Sequence, residues 1–579
     1  MNAIDYEILK AICTNNVKNQ RSLSQITGFS LGKINKSISL LKKSGYLDVN
    51  LQPTATTEAL IDTLKPRSAI ILAAGRGLRM IPLCKDVSKA LLEVNGEILI
   101  ERLIQQLHDV GVFEIYVVVG YKKELFEYLI DKYHVNLVVN PHFDNRNNLF
   151  SLSLTSRHIH NSYIIPCDLY CHENPFSTIE TYSWYMVASQ ENAKSSFSIN
   201  RNHELIAACT GQDSAKEIGI AYIGMDQAEY VAARIAELQK PENYTAPWTI
   251  STMEGKKSVL SAKIVIPESI HEINTYDDLV QIDPYSESLN SEYINIICQS
   301  LKIEREDISH VKAQKAGMTN QSFLFECKGN QYIFRIPGEG TNQLINRRQE
   351  YNVYQQIKNK NLCDEIVYIN PENGYKITKY MDCARNCHPQ NLAEVEMCMQ
   401  SLRNFHEMNL SVDHHFDIFE QILYYEKIRN CPSVYADYDK TKQSVFQLKR
   451  YIDNQKKRKC LCHIDSVYDN FIFSNGHIYL IDWEYAGMQD PHVDIAMFAI
   501  YALYDKAHVD MLIDFYFQNT CDQSTRLKIY CYIAACGLLW SNWCEYKASL
   551  GETFGEYSLC QYRYAKDFYR LVKEELSIE

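Results

Sequence analysis

The chain has 579 residues, too many for one hydrophobic core. With 46% hydrophobic and 22% charged residues it is ordinary globular material, which excludes an intrinsically disordered chain. A net charge of -12 argues against a protein that coats nucleic acid along its length. The start, Met1–Lys10, carries Asp5 and Glu7 and lacks the basic-then-apolar pattern of a secretory signal. The longest apolar runs, Ile115–Val119 and Ala534–Leu539, are far shorter than the roughly 20 residues a bilayer span needs. The 19 cysteines are scattered, so free thiols in a reducing cytoplasm are expected, with no membrane partner. Two spacings leave a structural metal open: Cys167 with Cys171, and Cys383 with Cys387 and His388.

Residues 1–66 carry an excess of three positive charges in an acidic protein. Their pattern predicts a helix over Tyr6–Asn15, a short one from Ser22, a turn at Gly28 and a longer one over Leu31–Lys43. Tyr46–Val49 then reads as extended, and the whole resembles a winged helix. Lys33, Lys36, Lys42 and Lys43 suit DNA phosphates and Asn35 a base edge; a solvated face or a dimer contact is the alternative.

Residues 67–285 alternate apolar strands (Ala69–Ala73, Ile115–Val119, Leu137–Val139, Tyr163–Pro166) with helices near Ile98–Asp109 and Lys123–Lys132. That alternation predicts a mostly parallel, Rossmann-like sheet covered on both faces. Residues 286–579 begin with strands Phe323–Cys327 and Tyr332–Ile336 about a Lys328–Gln331 turn, then become largely helical. A small β lobe before a large helical lobe is a kinase-like layout. The expected architecture is therefore multidomain, α/β and α+β: a winged helix (1–66), a Rossmann-like domain (67–285) and a bilobal kinase-like domain (286–579).

The string SAIILAAGRGLRM sets a glycine-rich loop directly after a buried strand. Ala74, Gly75 and Gly77 let backbone N–H groups approach phosphates; Arg76, Arg79 and Lys89 supply cations. Asp168 ends the strand YIIPCD at the mouth of the sheet, where ligands bind, although a turn-forming aspartate is the plain alternative. The longer pattern, Ala73-Ala74-Gly75-x-Gly77-x-Arg79, Pro82 and Ser88-Lys89-Ala90-Leu91, continued by VVVGYKKE and NRNNLFSLSL, resembles sugar-phosphate-type nucleotidyltransferases. The resemblance is greatest to bacterial phosphocholine cytidylyltransferases. It implies a Mg²⁺ held by Asp168 with Glu272 or Asn274, nucleotide contacts from Asn148 and Ser151, and CTP as the nucleotide. A phosphomonoester oxygen would attack the α-phosphorus and expel pyrophosphate, needing cations and alignment but no general base.

In LCHIDSVYDNFIF, Asp465 follows His463 and Asn470 comes five residues later; a further strand ends at Asp482. This is the order of a phosphoryl-transfer centre: Asp465 takes the acceptor hydroxyl's proton, while Asn470 and Asp482 hold Mg²⁺ on the ATP phosphates. Upstream, Thr319 and Asn320 lie in a phosphate-covering loop, and Arg335 faces its expected partner Glu350. The strings GMTN, RIPG, HID with its Asn, and IDWEYAG resemble bacterial choline kinases over almost the whole segment. A quaternary ammonium is held by aromatic faces, which points to Trp483, Tyr485, Trp540 and Trp543, with core packing of helical aromatics as the alternative. Tyr546 is a weaker candidate, and Asp494 in HVDIAMF is expected to support the catalytic region.

Together the resemblances imply a bifunctional choline kinase and phosphocholine cytidylyltransferase. ATP, CTP, choline and phosphocholine would be its ligands, and CDP-choline its product for decorating bacterial surface polymers. Ethanolamine, an aminophosphonate, a sugar phosphate or an aminoglycoside remain alternative substrates. A winged-helix regulator that senses choline metabolites through enzyme-like domains is the alternative of another class.

Overall fold

The computed structural model describes residues 3–14, 17, 19–188, 196–200, 204–207, 215–314, 320–338 and 340–576. The chain forms two compact units, Met1–Gln299 with Ile303–Ala313, and Ser300–Lys302 with Gln314–Glu579. The expected boundary near 286 does not coincide with this division. Residues just beyond it pack with the first unit: Tyr293 donates to Asp86 at 3.2 Å, and Arg305 to the Pro284 carbonyl at 2.8 Å.

The first unit opens with α1 (Ala3–Thr14), α2 (Gln20–Thr27) and α3 (Leu31–Lys43). Asn19 caps α2 by accepting from the Ser22 N–H, and Gly28 ends it at φ +71°, a conformation glycine adopts freely. Ile8, Leu23, Ile34, Ile38 and Leu41 close a small core. The expected wing strand is reduced to one bridge, Leu47 to Pro53, before α4 (Ala55–Leu64). Helix α1 faces the following domain: Thr181 donates to Glu7 at 2.9 Å, and Lys10 lies 3.6 Å from Glu180. On α3, Lys33, Lys36, Lys43 and Asn35 stay exposed.

The main sheet contains β1 (Ser68–Ala73), β2 (Glu114–Val119), β3 (Asn136–Val139), β4 (Ser162–Pro166), β5 (Trp184–Ala188), β6 (Phe197–Ile199), β7 (Glu204–Ala207), β8 (Lys216–Ile223) and β9 (Lys257–Val265). Their order is β3-β2-β1-β4-β8-β5-β9-β7-β6. The first four run parallel, but β8 is antiparallel to both β4 and β5. The sheet is thus mixed, correcting the expectation of a mostly parallel one. The parallel strands read as unbroken apolar runs because both faces are covered; the second half carries Glu204, Lys216 and Glu217 inside its strands and gives no such signal. Because β1 to β4 share one direction, the chain leaves them at a single rim, where the Gly75 loop and Asp168 emerge. The expected helix over Lys123–Lys132 is broken into a 3₁₀ turn, Lys123–Phe126, and a short helix, Tyr128–Tyr133.

In the second unit β10 (Asn320–Cys327), β11 (Asn330–Pro337), β12 (Ile366–Ile369) and β13 (Lys376–Lys379) pair antiparallel in the order β10-β11-β13-β12. Lys328 and Gly329, at φ +49° and +76°, make the tight two-residue turn of the β10–β11 hairpin. After α5 (Arg347–Ile357) the unit is mainly helical around α8 (Gln523–Ser549), which packs on α6 (Ile418–Arg429) and α7 (His492–Tyr501). Helix α8 is buried over most of its circumference, so apolar residues occupy every face.

No described helix is long and apolar enough to cross a membrane. Every described cysteine is a free thiol. Among the described residues the one metal-like trio is His406, Cys462 and Asp494, so neither expected cysteine spacing gathers ligands.

Gly120 marks a close approach beside the rim: a Cβ there would lie 2.6 Å from Phe143 Cβ and 2.7 Å from the Ala74 carbonyl oxygen. Gly120→Ala should destabilise the first unit by about 1–3 kcal/mol in chemical denaturation. Unchanged stability would show that the Phe143 segment yields freely.

Candidate active sites

At the rim of the main sheet is a cavity of about 490 Å³. Its lining includes Ala74, Gly75 and Gly77 from the loop after β1, with Arg79 and Lys89 beyond it. Asp168, Glu272, Asn148 and Ser151 also line it, whereas Arg76 and Asn274 do not. Gly77 has φ +63° and backs onto Lys89, whose Cβ would be 3.3 Å from any added Cβ. Lys89 Nζ lies 2.5 Å from Asp168 Oδ2 and donates to Asn274 Oδ1 at 2.8 Å. Arg79 Nη2 donates to the same Asn274 oxygen at 2.6 Å. Asn274 therefore gathers two cations in this arrangement. The strand Ile270–Glu272 pairs with Leu169–Cys171 and sets Glu272 opposite Leu169, next to Asp168. Asp168 Oδ1 is buried with no hydrogen-bond partner. An orphaned carboxylate oxygen beside a second carboxylate fits a hard divalent cation.

Arg76 turns away from this cavity. It pairs with Asp144, and its guanidinium lies 5.7 Å and 5.8 Å from the rings of Tyr121 and Phe143. Asn148 Oδ1 accepts the Trp248 N–H at 2.8 Å, and Ser151 accepts from Asn140 at 3.0 Å. Among the further lining residues that escaped the sequence reading are Tyr185, Glu217 and Trp248. Tyr185 donates to Glu217 Oε2 at 3.0 Å, and the Tyr185 and Trp248 rings meet edge-on at 6.0 Å. Tyr185 and Glu217 come from the antiparallel pair β5 and β8 and Trp248 from the turn Trp248–Thr252, far apart in sequence and in no motif.

The second site is built on the strand Cys460–Cys462 and the hairpin Phe471–Ser474/His477–Leu480. Asn470 Nδ2 donates to Asp465 at its carbonyl, 2.8 Å, and at Oδ2, 3.2 Å. His463 Nε2 lies 2.9 Å from the Ile481 carbonyl, tying the Asp465 loop to the segment that ends at Asp482. The backbone is unusual at both: Ile464 has φ +70° and Asp482 φ +67°. For a β-branched residue this is strained, and Asp494 holds it by accepting from the His463 and Ile464 N–H groups at 2.8 and 2.7 Å. Asp494 also meets His406 Nε2 at 2.9 Å, so its carboxylate is fully engaged.

Burial, with Asp482 and Glu484 nearby, pushes the Asp465 carboxyl up to about 8. Burial and Asp482 push Glu484 up to about 7 against the pull of Arg335. Arg335 Nη1 is 2.6 Å from Glu350 and 3.4 Å from Asp482. Burial alone would raise Glu350, but Arg335 holds it below its ordinary value. Asn320 donates to Glu484 at 3.1 Å; Thr319, with the rest of its loop from 315, lies outside the described residues. Asp465, Asn470 and Asp482 thus surround one spot with oxygen donors, a set that suits Mg²⁺.

The Trp540 and Trp543 rings stack at 6.0 Å, and Tyr485 meets Trp540 edge-on at 5.8 Å. Trp483 does not join them. It is wholly buried, with its ring against Phe405 and His463 at 4.9 and 4.6 Å and its N–H given to the Leu480 carbonyl, so it serves the core. Tyr425, buried with its hydroxyl unpartnered, and Glu484 and Arg347 were missed by the sequence reading.

Comparison with known proteins gives three matches in chain order. A family model of winged helix-turn-helix DNA-binding domains matches residues 1–48, one of MobA-like NTP transferase domains residues 69–190, and one of choline/ethanolamine kinases residues 311–531. Haemophilus influenzae protein LicA is 27% identical over 259 residues, 42% of this chain and 95% of that protein. A choline-phosphate cytidylyltransferase of Streptococcus pneumoniae is 43% identical over 124 residues, 21% of this chain and 54% of its own length. The crystal structure of choline kinase LicA from Streptococcus pneumoniae is 28% identical, covering 48% of this chain and 100% of that one at a TM-score of 0.44. The chain is a fusion of two transferase domains behind a winged helix. More narrowly, it joins a nucleotidyltransferase domain to a domain of the choline/ethanolamine kinase type.

Asp494→Asn keeps the shape but replaces one accepting oxygen with a donor, orphaning a buried partner. The second unit should lose about 1–3 kcal/mol in denaturant melts. No loss would mean that the Ile464 conformation does not need this carboxylate.

Proposed function

We propose that the chain makes CDP-choline in two steps, phosphorylating choline with ATP and then joining phosphocholine to CTP with release of pyrophosphate. The observation that carries this reading is the presence of two phosphate-handling centres, one per unit. In the first, Lys89 and Arg79 face Asp168 and Glu272 across a glycine-rich loop. In the second, Arg335 and Glu350 face Asp465, Asn470 and Asp482.

In the kinase step Asp465 accepts the choline hydroxyl proton at a carboxylate oxygen as the alkoxide oxygen bonds to the γ-phosphorus and ADP leaves. Arg335 contacts phosphate oxygens, Glu350 holds Arg335, and Thr319 and Asn320 cover the phosphates. The trimethylammonium rests on Tyr485, Trp540 and Trp543. Mg²⁺ on Asn470 and Asp482 would neutralise the triphosphate. In the transferase step the phosphocholine oxygen bonds to the α-phosphorus of CTP. Lys89, Arg79 and the backbone of Ala74, Gly75 and Gly77 hold the phosphates, with Mg²⁺ on Asp168 and Glu272. Asn148 and Ser151 flank the base. Glu217, Tyr185 and Trp248 offer a carboxylate and two aromatic faces to the substrate's ammonium. Arg76, engaged with Asp144, closes the edge of the loop instead of reaching phosphate. Where ATP and CTP are made, in the cytoplasm, the product can supply phosphocholine to surface polymers. The exposed lysines of α3 suit DNA phosphate contact as a regulatory addition.

Purified protein given ATP, CTP, choline and Mg²⁺ should release CDP-choline and pyrophosphate. Asp465→Asn should cut phosphorylation by about 10³-fold or more and leave conversion of supplied phosphocholine intact. Asp168→Asn should do the reverse. A folded variant of either kind that silences both steps would sink the two-centre reading. Trp540→Leu should raise the KM for choline about tenfold, with a smaller effect on ethanolamine. Equal effects on the two amines would remove the aromatic face from choline recognition.

A further inference from the structure

Arg347 breaks two local rules at once. It is the first residue of α5, where the helix dipole disfavours a cation, and it is only 5% exposed. A buried guanidinium persists only with close partners. Arg347 has three, each from a different segment. Nη1 donates to Glu350 Oε2 at 3.0 Å and to Glu484 Oε2 at 3.3 Å. Nη2 donates to Thr341 Oγ1 at 3.0 Å. Gly374 presses on its back so closely that a Cβ there would lie 2.5 Å from Arg347 Cδ, and the Gly374 carbonyl accepts from Arg335 at 2.9 Å.

These contacts join the two sides of the kinase centre. Glu350 holds Arg335, and Glu484 lies two residues from Asp482 and also accepts from Asn320. Thr341 belongs to the segment between β11 and α5. Two residues on, the Gln343 carbonyl accepts from Tyr424 at 2.6 Å, and Gln343 Oε1 accepts from Tyr546 at 2.9 Å. Tyr424 precedes Tyr425 on α6, and Tyr546 follows Trp543 by three residues on α8. The segment Gly340–Gln343 therefore runs from Arg347 to the aromatic face.

Resting on the kinase reading above, we propose that Arg347 is a positioning residue that couples closure over the acceptor alcohol to the phosphate-binding geometry. When the Thr341–Gln343 segment is seated on Tyr424 and Tyr546, Thr341 aims the Arg347 guanidinium. The guanidinium then fixes Glu350 and Glu484, and through them Arg335 and Asp482. A lysine keeps the charge at this position but cannot hold three partners with a planar fork.

The test uses the full chain, with conversion of supplied phosphocholine to CDP-choline as an internal control of folding. Arg347→Lys should lower the kinase kcat about tenfold and raise the KM for ATP, and Arg347→Gln should fall further, so that lysine is a partial rescue. Thr341→Val, which removes only the link to the segment, should raise the choline KM about tenfold and leave the ATP KM unmoved. Transferase activity should be unchanged in all three. Wild-type kinase constants in Arg347→Lys, or a Thr341→Val variant whose choline and ATP constants are both unmoved, would overturn the coupling while leaving the kinase reading standing. A wild-type chain that phosphorylates no amino alcohol would overturn that reading, and the coupling with it.

Discussion

Each unit holds acidic side chains side by side in its candidate site, and carboxylates at such short range repel one another. The structure meets this constraint with buried cations. In the second unit Arg335 and Arg347 alternate with Glu350, Glu484 and Asp482, so that each acid faces a guanidinium. In the first unit Lys89 faces Asp168. Leaving one such charge buried alone would cost several kcal/mol, whereas a well-bonded pair roughly breaks even. The pairs are therefore weak sources of net stability but strong constraints on geometry: one residue cannot move without stranding another. Burial, with Asp482 and Glu484 nearby, holds the Asp465 carboxyl well above its ordinary value.

The folds serve that constraint in different ways. In the first unit, four parallel strands end at one rim, where Lys89, beyond the loop after β1, meets Asp168 just past the end of β4. In the second, a hairpin and a loop deliver Asp465, Asn470 and Asp482 to one spot, at the expense of left-handed backbone at Ile464 and Asp482. Such conformations persist only where the surroundings over-determine them. Asp494 does so here by gripping two successive N–H groups of the catalytic loop.

What was legible in the sequence follows from how local each signal is. The loop after β1 and the Asp465–Asn470 spacing are local patterns, and the groups they predicted come together. So do the stacked Trp540 and Trp543, which need only helical spacing. Trp483 misled because adjacency to Asp482 in sequence says nothing of direction: the backbone turns through φ +67° at Asp482, and the Trp483 ring packs on Phe405 and His463. Arg76 misled because a cation beside a glycine loop can equally be claimed by an acid on a neighbouring loop, here Asp144. Glu217 and Tyr185 were invisible because an antiparallel register, not a motif, brings β5 and β8 together, and Trp248 because it reaches the cavity from a separate turn. The antiparallel half of the sheet was missed for the same reason: short strands bearing charges have no period that a one-dimensional reading can find.

Sequence distance also bears on why two such sites share one chain. Every group assigned to the transferase centre falls between Ala74 and Asn274, and every described group assigned to the kinase centre between Asn320 and Trp543. Each set lies inside one compact unit. Fusion is then unnecessary for either chemistry. What a covalent link adds is equal numbers of the two centres and a raised local concentration of one beside the other, which depends on linker reach and not on any shared residue. On the proposed reading the two activities should be separable by mutation while remaining consecutive in use: the phosphate ester formed at the Asp465 centre would be the ester that enters the cavity beside Lys89.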